Sequence, residues 1–576
     1  MKPYKSFGAL AIVLLFGHSA IVSAQAQTEK NGYAGHFNVR DFGAKGDGHN
    51  LDTEAIQAAV LTANKAGGGM VTFPPGIYVT GTLELLSNVT LDIQRGTTLK
   101  GSSNVGDYRP ISDFGFGRDY GVNYTGEGFK VGMIVAQNAQ NIAITGGGVI
   151  DGSGNSFFDF NKPHYSMDFD PIYTRQGKAF MDATLRTADG PVDMKPDGRA
   201  GTMIVFSHTG NVLFRDITLK DAPNWTVHLA DTQRAVFTGV HIVNNPLLPN
   251  NDGVDCMSCK DVHISDCDIV TGDDDFAIVN SEDVTITNCS LTSRSSAIRV
   301  ENTKNGVFTN LTIHTNRGIG IYERGKGKTY NLLFSNILID TQLYTGHWWG
   351  KGEPIYVAIT APDADGDIGE VHDVKFVNIG GEADSGIVLY GSAGAEIRDL
   401  TFDNVQFRMR VKNQQSSAAV GGNFDLRWTA PSLRTALFQH DIPGFYARYI
   451  DGLAIHGLDI SWSGKLPGYY SSAIECEDFA RLQIDGFTGR ESNDSTKDQA
   501  AITLKRGSQV SIRNSTAAPG TQVFLRTTSI SGDKLFSGND LSQAKQAFAG
   551  DPHHFLLSGN FMPSLAAEPA HPLSRH

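Results

Sequence analysis

Residues 264–269 read ISDCDI, and residues 286–291 read ITNCSL. Both fit one frame: apolar, any residue, Asn/Asp/Gly, apolar, any residue, apolar. The same frame fits FRDITL from Phe214, FTGVHI from Phe237, FTNLTI from Phe308 and FSNILI from Phe334. Taken in chain order, these anchors lie 23, 27, 22, 22 and 26 residues apart. Weaker copies start at Phe376, Phe402, Ile455, Ile484 and Ile512, and an earlier one at Ile144. The third position holds Asp216, Gly239, Asp266, Asn288, Asn310, Asn336, Asn378, Asn404, Gly457, Gly486 and Asn514. Gly, Asn and Asp enter the left-handed backbone region most easily. One such residue after a short strand bends the chain sharply, and stacked Asn side chains can bond one another in a ladder. A bend of this kind once per repeat, flanked by inward apolar residues, predicts a coil of a parallel β-helix. A β-propeller wants longer repeats, and a leucine-rich horseshoe far more Leu.

The rest of the chain agrees with an all-β solenoid. Gly is abundant, 64 of 576 residues, and charged residues make up only 19%, which leans away from a helical protein. At the start, FNVRDFGAKGDG opens with a strand and a turn region leads to Asp52, read as a helix cap. Ile56, Ala59, Val60 and Ala63 follow at helical spacing until Gly67-Gly68-Gly69 stops the helix. This helix is expected to cap the open end of the stack. Residues 36–545 read as a single β-helix domain, with inserted loops at 153–200 and 409–450 and a C-terminal tail at 546–576.

Residues 1–24 read as a cleaved signal peptide, a basic start before an apolar stretch and small residues at Val22-Ser23-Ala24. A secreted or periplasmic location follows. A net charge of −13 argues against nucleic acid and against an anionic membrane surface. The five cysteines are too few and too odd in number for a disulfide scaffold. Cys267 and Cys289 share a frame position on successive coils and should stack as core thiols. Cys256 and Cys259 form a lone CxxC pair, read as structural, with no metal assigned.

TGDDDFAIVN at 271–280 sets three carboxylates against an apolar strand. Asp252, in NNDGVD, lies 21 residues before Asp273, about one coil. It should therefore sit beside Asp273 and Asp274 in space, about 5 Å away along the axis, with Asp255 and Asp275 near. A cluster of this kind splits its proton affinities. That suits inverting glycoside hydrolysis, in which one carboxylic acid protonates the leaving oxygen. A carboxylate about 6.5–9.5 Å away then activates water. A solvated turn or a calcium site explains the Asp run alone, but not the partner one coil away.

NNDGVD followed by the Asp pair of GDDD resembles the first two motifs of family 28 glycoside hydrolases, the polygalacturonases, rhamnogalacturonan hydrolases and their relatives. FNVRDFGAKGDG, NVTLDIQRGTTLKGS, GGGVIDGSG and DAPNWTVHL also resemble landmarks of that family. The resemblance implies a right-handed parallel β-helix that hydrolyses pectin with inversion and needs no cofactor. It implies Asp273 as general acid and Asp252 and Asp274 as the pair that positions and activates water. The family's Gly-His-Gly motif is absent: that coil reads SRSSAIRV, with Ser295 and Ser296 near the expected His. Its Arg-Ile-Lys motif is replaced by GIGIYERGKG, with Gly320 and Tyr322 at the Arg and Lys positions.

Strand alternation turns Arg299 toward the cleft if Ile298 and Val300 face inward. Tyr322 and Arg324 alternate likewise, with Lys326 beyond. These residues are read as substrate-binding, the arginines as a replacement carboxylate site. GHWWGKGEP at 346–354 brings Trp348 and Trp349, at least one of them expected to stack on sugar in the cleft. The reading is a secreted inverting glycoside hydrolase of a pectin-like or other acidic polysaccharide or oligosaccharide, exo-acting if the inserted loops close one end of the cleft. The alternatives are a polysaccharide lyase on the same fold and a non-catalytic glycan-binding β-helix. No oligomeric state is assigned.

Overall fold

All eleven third-position residues of the frame, Asp216 to Asn514, have φ between 51° and 74°. The bend that the sequence asks for is therefore present in each of those coils. Its ladder is present too. Asn288 donates to Asp266, Asn336 Nδ2 to Asn310 Oδ1 (3.4 Å), Asn378 to Asn336 (3.2 Å) and Asn404 to Asn378 (2.9 Å). A second column of left-handed residues was not read from the sequence: Asp261, Asp283, Asn305, Asn331, Asp373 and Asp399. It carries its own ladder, Asn305 to Asp283 (3.0 Å) and Asn331 to Asn305 (2.8 Å). These coils are thus bent at two corners, and where the corner residue is Asn its amide can bond the coil before.

A computed structural model describes residues 35–114, 131–164, 169–185, 190–346, 348–360, 368–430, 432–492, 499–550 and 555–563. The proposed signal segment 1–24 and His347 lie outside them. Among the described residues, 37 strands join one continuous sheet. Strands one coil apart pair in parallel, as Phe308 opposite Phe334 and Phe376 opposite Phe402 show. The chain is a right-handed parallel β-helix. Its core is built by the frame's first position. The rings of Phe214 and Phe237 stack at 4.5 Å between centroids, Phe308 and Phe334 at 4.6 Å, and Phe376 and Phe402 at 4.7 Å. Cys267 and Cys289 are buried free thiols, as are Cys256, Cys259 and Cys476.

The helix Thr53–Lys65 buries Ile56, Ala59, Val60 and Ala63 against the first coils. Asp52 stands at its N-cap position but does not cap it. Its carboxylate instead accepts from the N–H groups of Lys45 (2.7 Å) and Gly46 (3.0 Å), tying the preceding turn. No helix among the described residues is long and apolar enough to cross a membrane.

Residues 153–200 include the helix Ala179–Leu185 and strands Phe158–Pro163 and Val192–Met194, paired antiparallel to each other. Within 409–450, Met409 still belongs to a coil strand and Phe445 already opens the next one. Between them lie the helix Gln414–Val420 and the hairpin Asn423–Asp425/Leu437–Gln439. The two insertions meet over a small core of Phe169, Phe180, Leu343, Val420 and Leu437. Arg175 of the first clamps the second through Asn423 Oδ1 and Asp441 Oδ1, each at 2.7 Å.

The reading of a tail from 546 onward needs correction. Strands Gln546–Gly550 and Leu556–Ser558 both pair in parallel with Val523–Ser537, so the sheet runs on past residue 545. Their side chains are largely exposed at this end, which weakens the apolar alternation by which a strand is read.

Candidate active site

The strand Phe276–Val279 turns Phe276 and Ile278 into the core, both wholly buried. Ala277 faces the opposite way, into a cavity of about 490 Å³. Parallel register stacks one side chain per coil along this face: His228, Asp255, Ala277, Arg299, Gly320 and Tyr356. The aspartates stand at the strand's leading edge, where the chain turns onto that face. Adjacent coils pack so closely there that only Gly fits beside them. A Cβ on Gly253 would lie 2.3 Å from the Asp275 carbonyl oxygen, and one on Gly272 would lie 2.4 Å from that of Leu248.

Asp252, Asp273 and Asp274 each bring a carboxylate oxygen within 4.8 Å of the others. The one-coil spacing thus converges as the sequence predicts, and all three are nearly buried. Asn250 Nδ2 donates to Asp273 Oδ2 at 3.4 Å. Burial and then the charge of Asp273 raise Asp274 to about 7, against the pull of Arg299 and Ser296. Burial also raises Asp273, although Arg299 and the Ser295 hydroxyl pull it back. Burial, with its acidic neighbours, pushes Asp252 and Asp255 well above the usual carboxylate range. Asp275 turns away from the others: it is fully buried and accepts from Thr271 Oγ1 at 2.8 Å. Three carboxylates this close can also share a divalent cation. We assign them none, because Arg299 Nη1 already brings a positive charge to 3.8 Å from Asp274.

The opposite bank is basic and aromatic. Arg299 Nη2 donates to Glu301 Oε2 (3.0 Å) and Arg324 Nε to Glu301 Oε1 (3.3 Å). Both guanidinium groups lie against the ring of Trp428, at 4.1 and 4.2 Å from its centroid. Trp428 Nε1 also donates to Glu301 Oε2 (3.1 Å). Burial works to raise Glu301, but the two arginines and Trp428 outweigh it and hold the carboxyl below its ordinary value. Trp349 meets Trp428 edge-on at 5.8 Å. Arg427, paired with Asp425 at 2.8 Å, lies under the Trp349 ring.

Asp252, Asp273, Asp274, Arg299, Tyr322, Arg324 and Trp349 all line the cavity. Two expected residues do not. Trp348 is buried in the wall, where its carbonyl accepts from Arg427 Nη2 at 2.6 Å, so it anchors the loop and Trp349 alone faces the cleft. Lys326 is exposed on a turn beyond the strand that carries Tyr322 and lines no part of the cavity. Lys351 and Glu353 are buried behind the wall.

Among the lining residues that the sequence reading did not place in the site are Trp225, His228, Glu301 and Trp428. Glu301 was findable, since it alternates with Arg299 in AIRVE. Trp225 and His228 lie within DAPNWTVHL, where the strand Val227–Ala230 turns His228 outward. Burial pushes the His228 imidazole down to about 4, and neither ring nitrogen has a hydrogen-bond partner. Trp428 sits in an aperiodic insertion and carries no local signal.

Residues 81–294 match the model described as "Glycosyl hydrolases family 28". A "Probable polygalacturonase" of Vitis vinifera is 28% identical over 229 residues, 38% of this chain and 39% of that protein. An "Exo-poly-alpha-D-galacturonosidase" of Dickeya chrysanthemi is 25% identical over 237 residues, 38% of each. The chain thus spans about two fifths of the length of these relatives. Among solved structures, a hyperthermoactive exopolygalacturonase from Thermotoga maritima shares the fold, with a TM-score of 0.50 and 21% identity over 65% of this chain and 87% of that one. Over residues 81–294 this chain is thus similar to glycosyl hydrolases family 28.

Proposed function

We propose that this protein is a secreted glycoside hydrolase that cleaves a pectin-like or other acidic polysaccharide or oligosaccharide with inversion, from a chain end. The observation that carries the proposal is the convergence of Asp252, Asp273 and Asp274 within 4.8 Å in a cavity lined by arginine and tryptophan. Asp273 is the general acid, and Asp252 and Asp274 hold the attacking water. Arg299 and Arg324 bind the substrate's carboxylate, and Tyr322 faces the same sugar. Trp349 and Trp428 line the same cavity, and Trp428 comes from one of the two insertions that meet beside the coils, which supports exo-action. The segment 1–24 supports secretion.

The test is release of reducing ends from homogalacturonan, rhamnogalacturonan and their oligosaccharides by the wild type and Asp273→Asn. The variant should lose activity by about 10²–10⁴-fold, the usual worth of a placed general acid. Equal rates remove Asp273 from that role. An ultraviolet-absorbing product that depends on calcium would point to a lyase instead. A second reading is a retaining hydrolase, favoured by how closely the three carboxylates approach, each with an oxygen within 4.8 Å of the others. The anomer released first, followed by proton NMR, separates the two.

A further inference from the structure

Val300 is wholly buried, so its neighbours on the strand Ser296–Glu301, Arg299 and Glu301, both face the cleft. Both carboxylate oxygens of Glu301 are engaged there. Oε1 accepts from Arg324 Nε at 3.3 Å, and Oε2 accepts from Arg299 Nη2 at 3.0 Å and Trp428 Nε1 at 3.1 Å. The Trp428 ring lies against both guanidinium groups, 4.1 and 4.2 Å from its centroid. Two arginines on one carboxylate, backed by an aromatic ring, is the arrangement proposed above for the substrate's acid group. The protein's own Glu301 fills it.

Little positive charge is left over. Arg299 Nη1 also stands 3.8 Å from Asp274 Oδ2. Arg324 is the open one of the pair, its side chain 51% exposed. Around them the cavity is lined by five acids, Asp252, Asp255, Asp273, Asp274 and Glu301, against these two arginines. A carboxylate that arrives from solvent therefore meets Arg324 already shared with Glu301. Like charge opposes seating a second acid beside the first. A neutral sugar meets no such opposition. Its hydroxyl oxygens can accept from the arginines while its hydroxyl protons go to Glu301.

We propose that Glu301 is a specificity-determining residue: it competes with a substrate's carboxylate for Arg299 and Arg324, and so lowers the cleft's preference for an acidic sugar over a neutral one. Trp428 keeps the competitor in place, since its N–H bonds the same oxygen as Arg299. Glu301 acts as a carboxylate, because the two arginines and Trp428 outweigh its burial. The inference rests on the reading that Arg299 and Arg324 meet an acid group of the substrate.

The test is calorimetric binding in an Asp273→Asn background, which spares the ligands from cleavage. The ligands are trigalacturonate and its carboxyl-reduced counterpart, a galactose trisaccharide. Glu301→Gln removes the charge and keeps the shape. It should tighten binding of trigalacturonate about tenfold and leave the galactose trisaccharide within about twofold. Glu301→Asp keeps the charge but draws it back by one methylene, and should gain about threefold for the acidic ligand alone. It carries the test if the Gln variant does not fold. An unchanged affinity for trigalacturonate in the folded variants overturns the proposal, and so do equal gains for both ligands. Weaker binding of both overturns it too, and would make Glu301 a support for the arginines and nothing more. If trigalacturonate gains as described yet the wild type releases no reducing ends from any pectic fraction, the competition stands and the hydrolase reading falls. If pectic chains are cleaved and the affinities do not move, the hydrolase reading stands and the competition falls. Binding of neither ligand by any of these proteins overturns both.

Discussion

Asp273, Asp274 and Asp275 are neighbours in sequence but have three different surroundings. Asp275 is sealed into the stack against Thr271, and only Asp273 and Asp274 meet Asp252. Such a cluster has a stability cost with a definite sign. In the unfolded chain Asp274 titrates near its ordinary value of 3.8, and in the folded protein near about 7. The raised value means that its contribution to stability is complete below about pH 4. That contribution is lost as the pH climbs through about 7. Asp274→Asn should therefore match the wild type near pH 4 and be more stable by about 2–4 kcal/mol near neutrality, at 1.36 kcal/mol per pKa unit. Denaturant unfolding at the two pH values measures this. Parallel curves for the two proteins would show that Asp274 titrates normally.

At the scale of the element, the coil is held by its bends. Asn336 has φ 55°, accepts from Asn378 and donates to Asn310. Asn336→Ala should lose both ladder bonds and add strain in the left-handed region, about 2–3 kcal/mol together. Asn336→Gly keeps the backbone relaxed and should lose less. Unfolding midpoints of the two variants decide it, and equal midpoints would show that the ladder rather than the backbone angle carries the effect. The frame was legible because both demands are local: a residue type that tolerates positive φ, and apolar neighbours at fixed offsets. The second column of bends has the same physics. It went unread because Arg234, Arg481 and Gln509 also adopt positive φ and blur the residue pattern around it.

At the scale of the whole molecule, the cleft is finished by segments far apart in sequence. Trp428 comes from an insertion, and Glu301 lies 127 residues earlier in a coil strand. The ring braces two arginines, each by a contact of about 1–2 kcal/mol when shielded from water. Trp428→Ala should release both guanidinium groups and raise KM for an acidic oligosaccharide about tenfold, one factor of ten per 1.4 kcal/mol. The value of kcat should stay within about threefold. Steady-state kinetics show this directly. An unchanged KM would mean that the arginines hold substrate without the brace.

From the sequence alone came the β-helix, its capping helix and the meeting of Asp252 with Asp273 and Asp274. Each follows from short-range rules: strand alternation, left-handed residues, and the fact that one coil of chain returns to the same face. Tertiary packing decided which tryptophan looks into the cleft, since Trp348 and Trp349 differ only in which side of the wall each meets. It also placed Trp428 between the arginines and folded Tyr322 back over Gly320 toward Ser296. Those outcomes depend on insertions without a repeat and on the room left by a neighbouring coil, and no periodicity encodes either.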